Sequence, residues 1–159
     1  MLVILGNQLF APEYLPPPGE MPVFMAEDVG LCTYEKHHQQ KIVLFLAAMR
    51  AYADELRDAG YDVHYIELDT GDTQPYEDKL AAELERVGAS RITHFEIEDK
   101  AMEQRIVDFA RSHDLERNEL SSPMFTCSRE RFAEYAAGKS RLLMADFYKD
   151  QRRRLDILI

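Results

Sequence analysis

Three short clusters in this sequence carry side chains able to do chemistry. Gly6-Asn7-Gln8 follows an apolar run. Glycine there lets backbone come close to a ligand, and the two amides both donate and accept, which suits the mixed edge of a heterocycle. Met25, Ala26 and Glu27 close a second apolar run. The Glu27 carboxylate can accept from a ring NH or from hydroxyls, or it can serve as an ordinary cap or solvated acid. Cys32 with His37 and His38 has the residue types of a metal set. Adjacent helical residues point about 100° apart, however, so the two histidines do not readily share one ion. At a helix start, their backbone NH groups and Lys41 would instead serve an anion or a polar ring substituent. Asp62 and His64 fall on one face of a strand, which suits a surface pair as well as a relay. Asp146-Phe-Tyr-Lys149 is polar and aromatic at helical spacing, as an amphipathic face would be. GxSxG, GxGxxG and P-loop patterns are absent from the sequence, so these residues assign no reaction.

The elements that must hold these residues alternate. Met1 to Leu5 is a continuous apolar run ending at Gly6, as expected of a strand buried on both faces. Residues 11–22 are rich in proline and form a loop. Val23 to Ala26 is a second strand. From His37 to Ala59, the apolar residues Ile42, Phe45, Leu46, Met49, Tyr52, Ala53 and Leu56 recur at three and four, which predicts a helix stopped by Gly60. Asp62–Leu68 and Arg91–Ile97 read as strands. Helices are expected from Thr73 or Gln74 to Gly88, over 100–113, from Ser128 to Ala137, and from Leu142 onward. Glu119–Phe125 is a poor strand by propensity and is placed there because the alternation needs one. Strands alternating with helices pair in parallel, because each crossover is supplied by a helix. The expected fold is therefore α/β, a Rossmann-like or flavodoxin-like three-layer open sheet of five parallel strands. In such sheets ligands bind at the C-terminal strand ends.

Composition bounds the function. A chain of 159 residues is about one domain. Twenty-nine acids against 19 bases give a net charge of −10, which argues against nucleic-acid binding by overall charge and leaves only a local basic patch for it. Lys149, Arg152, Arg153 and Arg154 form one such patch. Two cysteines, Cys32 and Cys127, make neither a disulfide framework nor a Cys-x-x-Cys cluster and fit a reducing compartment. With no basic signal-peptide start and no long apolar run, the expected location is cytoplasmic, with no membrane partner. The apolar Leu155–Ile159 tail reads as an element cut in mid-course, or as a docked C-terminal helix.

VILGNQL at the first strand, TYEKHHQQKIVLFLAAMRAYADELRDAGYDVHY over the long helix and third strand, and RLLMADFYKDQRRRLDIL near the end are together similar to the prokaryotic photolyase-related proteins. These form the iron–sulfur branch of the photolyase/cryptochrome family, which includes (6-4) photolyases. The resemblance implies a sheet of the photolyase N-terminal type over residues 1–140, with 141–159 beginning the connection to a helical domain. It implies that FAD and a [4Fe-4S] cluster belong to that helical domain, and that the α/β domain binds 6,7-dimethyl-8-ribityllumazine, an antenna that passes excitation to FAD. Carried over by position, the antenna site comprises Gly6, Asn7, Gln8, Met25, Ala26, Glu27, Leu31, Cys32, Lys41 and Phe45, with no catalytic and no metal-ligating residue. Asn7 stands where the family often has Asp, and a bulky Phe45 would narrow the site if it pointed inward. Implied partners are the chain's own helical domain and, for a whole light-driven repair enzyme, damaged DNA. A photoreceptor cryptochrome would share this antenna domain. The alternative of a different class is a stand-alone flavin- or nucleotide-binding α/β module.

Overall fold

A computed structural model describes residues 1–69, 71 and 73–157. The chain divides into two compact units, Met1–Ser121 and Ser122–Ile159. The first holds strands β1 (Leu2–Val3), β2 (Val23–Ala26), β3 (Val63–Ile66), β4 (Arg91–Phe95) and β5 (Glu116–Leu120). Its helices are α1 (Val29–Thr33), α2 (Gln39–Asp58), α3 (Tyr76–Val87) and α4 (Lys100–Ser112). The strand order is β3-β2-β1-β4-β5, and every neighbouring pair is parallel. Leu2 stands beside Val23 on one side and Thr93 on the other. The open parallel α/β sheet expected from the sequence is thus present, with β1 at its centre.

Side-chain alternation builds the layers. Val3 and Leu5, with Phe24 and Ala26, pack against Leu80 and Leu84 of α3 and Ile106 and Phe109 of α4. Leu2 and Ile4, with Val23 and Met25, pack against Met49, Tyr52, Ala53 and Leu56 of α2. Strands covered on both faces need no polar side, which is why both runs read as continuous apolar stretches.

Three departures from the sequence expectation have physical causes. Helix α1, with the sequence VGLCT, was not expected: glycine and β-branched residues give it little intrinsic propensity. It is set by its N-cap, since Asp28 Oδ1 accepts from Leu31 N at 2.7 Å. Strand β5 lies three residues earlier than the expected Glu119 start. It is an exposed, charged edge strand with no apolar alternation to read, and charged edges of this kind discourage pairing with other chains. Helix α2 begins at Gln39, with His38 as its N-cap, and ends before Gly60, which takes φ 88° where a side chain would be strained. Its expected apolar stripe enters the core only from Met49 onward, and Phe45 is 42% exposed.

In the second unit, α5 (Arg129–Ala136) is capped by Ser128, whose Oγ accepts from Arg131 N at 3.2 Å. α6 (Met144–Leu155) sets Phe147 against Phe132 and Tyr135 at ring separations of 5.2 and 5.1 Å. Leu158 and Ile159 of the apolar tail lie outside the described residues. Among the described residues, no helix is long and apolar enough to cross a membrane.

Candidate functional site

The chain leaves β1 through Leu5-Gly6-Asn7 and β2 through Ala26-Glu27-Asp28, and a cavity of about 450 Å³ opens above these ends. One wall is α1 with the N-terminal half of α2, which contributes Ile42, Phe45, Leu46 and Met49. The other is Tyr76 at the start of α3 with Asp99, Met102 and Arg105 around the start of α4. The cavity lies where the strand order turns, with β1 between β2 and β4, as ligand sites of open α/β sheets do. Ile42 and Phe45 stay out of the buried core and face this opening, while Leu46 borders both. A Cβ on Gly6 would stand 2.7 Å from Met49 Sδ, so glycine there lets the helix close over the strand end.

Of the residues singled out from the sequence, Gly6, Asn7, Ala26, Glu27, Leu31, Cys32, Lys41 and Phe45 line the cavity. Gln8 and Met25 do not. Gln8 is buried, and its Nε2 donates to Glu96 O at 2.8 Å and to Glu98 Oε2 at 3.3 Å, tying the end of β1 to the segment after β4. Met25 alternates to the opposite face of the sheet and packs with Leu2 and Met49 under α2.

Glu27 borders the cavity, but its carboxylate is spent on structure. It is 1% exposed. Oε1 accepts from Arg50 Nε at 2.6 Å and Tyr65 OH at 2.7 Å, while Oε2 accepts from Arg50 Nη2 and Leu68 N, each at 2.8 Å. Burial alone would raise its pKa, but the Arg50, Tyr65 and Leu68 donors outweigh that and hold it below the ordinary carboxylate value. The main-chain oxygen of Glu27 accepts from buried Lys79 Nζ at 3.0 Å. A contact from its carboxylate to ring NH or ligand hydroxyls would have to share or displace one of these four protein donors.

Three of the four helix starts around the cavity are capped by side chains, and α3, which opens after Pro75, is not. Asp28 caps α1. Asp99 Oδ1 caps α4, accepting from Ala101 N at 2.8 Å and Met102 N at 2.9 Å. His38 Nδ1 caps α2, accepting from Gln40 N at 3.2 Å. The anion site expected at His37 and His38 is accordingly not formed by that turn, and Lys41 Nζ lies 3.3 Å from His37 Nδ1. Arg105 is held by Glu77 at 2.6 and 2.8 Å. Burial, and then the charges of Asp28 and Glu27, push the Cys32 thiol up, so it stays protonated. No group of three metal-ligating side chains gathers among the described residues. His64 of the surface pair also meets Glu83 and Arg86, away from the cavity lining.

Sequence reading missed the far wall: Tyr76, Asp99, Met102 and Arg105. The available signal was topological, because in this fold class the strand beyond the order reversal brings its helix start to the same crevice.

Comparison with known proteins places these observations. The family described as deoxyribodipyrimidine photo-lyase-related protein matches residues 2–159. A protein named (6-4) photolyase, from Agrobacterium fabrum (strain C58), is 28% identical over 164 aligned positions, covering 100% of this chain and 32% of that protein. An uncharacterized protein, R852 of Acanthamoeba polyphaga mimivirus, is 27% identical over 167 positions, covering 99% of this chain and 83% of that protein. The chain thus spans about a third of the photolyase and most of the viral relative.

Proposed function

We propose that this chain, which belongs to the deoxyribodipyrimidine photolyase-related family, binds an uncharged antenna chromophore, 6,7-dimethyl-8-ribityllumazine, at the β1 and β2 ends. The observation that carries this is the acidic capping of the helix starts on either side of the cavity, by Asp28 on α1 and Asp99 on α4. Phosphate sites in α/β folds use free NH groups at a helix N-terminus. Here, among the helices at the cavity, α1, α2 and α4 are capped by side chains, two of them the acids Asp28 and Asp99, and only α3, which opens after Pro75, has no side-chain cap. That opposes a phosphate and admits a neutral ring. The rest fits such a ring: about 450 Å³, apolar side chains from α2 and α4, and a few polar groups such as the Asn7 amide. When bound, the lumazine would absorb light and pass the excitation on, a task that asks no acid, base or nucleophile of this chain.

On this proposal the whole protein is a light-driven DNA repair enzyme or a related cryptochrome, and the segment beyond residue 140 leads toward its helical domain. The photolyase relative, of which this chain spans 32%, supports that view. FAD and the [4Fe-4S] cluster would be held outside this chain, whose two cysteines, Cys32 and Cys127, cannot supply four cluster ligands. A stand-alone role is favoured by one observation, that the chain spans 83% of the viral relative.

A fluorescence titration of the chain with the lumazine, with FMN as competitor, tests both. Saturable lumazine binding at micromolar concentration or tighter, unmoved by FMN and abolished by Ala101→Trp in the cavity lining, is expected. Preference for FMN would instead support the stand-alone flavin-binding role. A folded chain that binds neither would sink the antenna proposal.

A further inference from the structure

Among the described residues, Tyr76 is the cavity-lining side chain that is buried and whose polar atom has no partner. It is 2% exposed, and its hydroxyl has no hydrogen-bond partner among the described residues. Native structures rarely leave a buried hydroxyl unpaired, and one beside a cavity points to a water or a ligand that supplies the missing bond. The side chain is not loosely placed. Its ring stands edge-on to Phe24 at 5.7 Å and 70°, and it opens α3 directly after Pro75, whose φ is −59°. The charges that act on the hydroxyl include Arg105 and Asp28, and both line the same cavity.

We propose that the Tyr76 hydroxyl is the donor that recognises an oxo group of the bound ring, so that the site selects heterocycles carrying a ring carbonyl at that edge. This rests on the antenna proposal above and names the chemistry by which the site would recognise its ligand. A phenol can donate or accept. Here it keeps its proton and donates: burial, and then the negative charge of Glu77, push its pKa up, and Arg105 only partly offsets them. The acids on the same rim, Asp28 and Asp99, already accept from their helix starts and are no source of donors for a carbonyl. A carbonyl oxygen is therefore the complement to Tyr76.

The test compares the wild-type chain with Tyr76→Phe, which keeps the ring and removes only the hydroxyl. Lumazine affinity, read by fluorescence titration, is expected to fall roughly 2- to 13-fold, the range of one ordinary hydrogen bond. The infrared carbonyl band of the bound lumazine is expected to move to higher frequency in Tyr76→Phe, a change that a merely structural role would not produce. Equal affinity and an unshifted band, with Ala101→Trp still abolishing binding, would overturn the role of Tyr76 and leave the antenna pocket standing. If the folded wild-type chain binds no lumazine at all, the pocket proposal falls and the Tyr76 proposal with it.

Discussion

Two corners border the same cavity and solve the problem of buried polarity in opposite ways. At the β2–β3 corner, the Glu27 carboxylate is surrounded by donors from Arg50, Tyr65 and Leu68. At the α3–α4 corner, the Tyr76 hydroxyl is as deeply buried and has no partner among the described residues. A saturated group holds the scaffold and has nothing left to offer a ligand. An unsaturated one costs the empty fold stability and gains its bond only when something enters. Residue type alone favours Glu27 as the ligand contact, because a carboxylate is the stronger hydrogen-bonding group. Satisfaction, not strength, decides which of the two corners is free to act.

The largest break in this comparison comes from Glu27→Ala. It leaves Tyr65 OH and Leu68 N without their acceptor and turns Arg50 toward solvent. Losing the acceptor of these partly buried donors is expected to lower unfolding stability by about 1–3 kcal/mol, with little of it from Arg50, which can rehydrate. Urea unfolding measures the loss. Lumazine affinity of the fraction that remains folded should change little, and a large drop would show that the carboxylate reaches the ligand after all. The same corner sets an acid limit. Because the folded-state pKa of Glu27 is depressed below its ordinary 4.5, its contribution is fully present above that pH and is lost as pH falls through the folded value. Glu27→Gln should therefore flatten the acid side of the stability profile. It will not flatten it completely, because Arg105 lowers the pKa of Glu77 and Arg86 that of Glu83.

What the sequence made legible follows the same division. The β1 and β2 runs could be read because burial on both faces leaves a continuous apolar string, and Gly60 because a left-handed helix stop has few other occupants. Helix α1 could not, since a capping aspartate is indistinguishable from a solvated one until Leu31 N is seen to reach it. Strand β5 was expected from the alternation alone and placed three residues late, since ERNEL is paired through its backbone and carries no apolar pattern. Within the site, Asn7 and Gln8 are chemically alike and adjacent, yet one lines the cavity and the other is committed to Glu96 and Glu98. Tyr76 was invisible as a site residue because a tyrosine after a proline reads only as a helix start.

A smaller effect is expected where the two corners share a floor. Gly6→Ala would set a methyl 2.7 Å from Sδ of Met49, a residue of α2 packed against Leu2, Ile4 and Met25 of the sheet. The thioether must shift, at about 1–2 kcal/mol. If Met49 swings into the cavity, lumazine affinity falls together with stability. Calorimetry on the empty and lumazine-loaded chain separates the two, and unchanged affinity would mean that Met49 moved away from the ligand space.

The smallest expected change is also the sharpest, because its sign differs from that of the Glu27 substitution. Tyr76→Phe in the empty chain removes a buried hydroxyl that makes no hydrogen bond among the described residues, while the ring keeps its edge-on contact with Phe24. Nothing in the fold loses a partner, and the desolvated oxygen is gone, so unfolding stability should hold or rise by up to about 1 kcal/mol. For a chain of this size that amounts to a few degrees in Tm. A tightly held water bonded to the hydroxyl predicts the reverse, because Phe would strand that water, and Tm would fall. The sign of the shift in the ligand-free chain therefore separates an empty subsite from a hydrated one before any chromophore is added. A rise in Tm coupled to weaker lumazine binding is the pattern of a group that destabilises the empty scaffold in order to recognise a ligand.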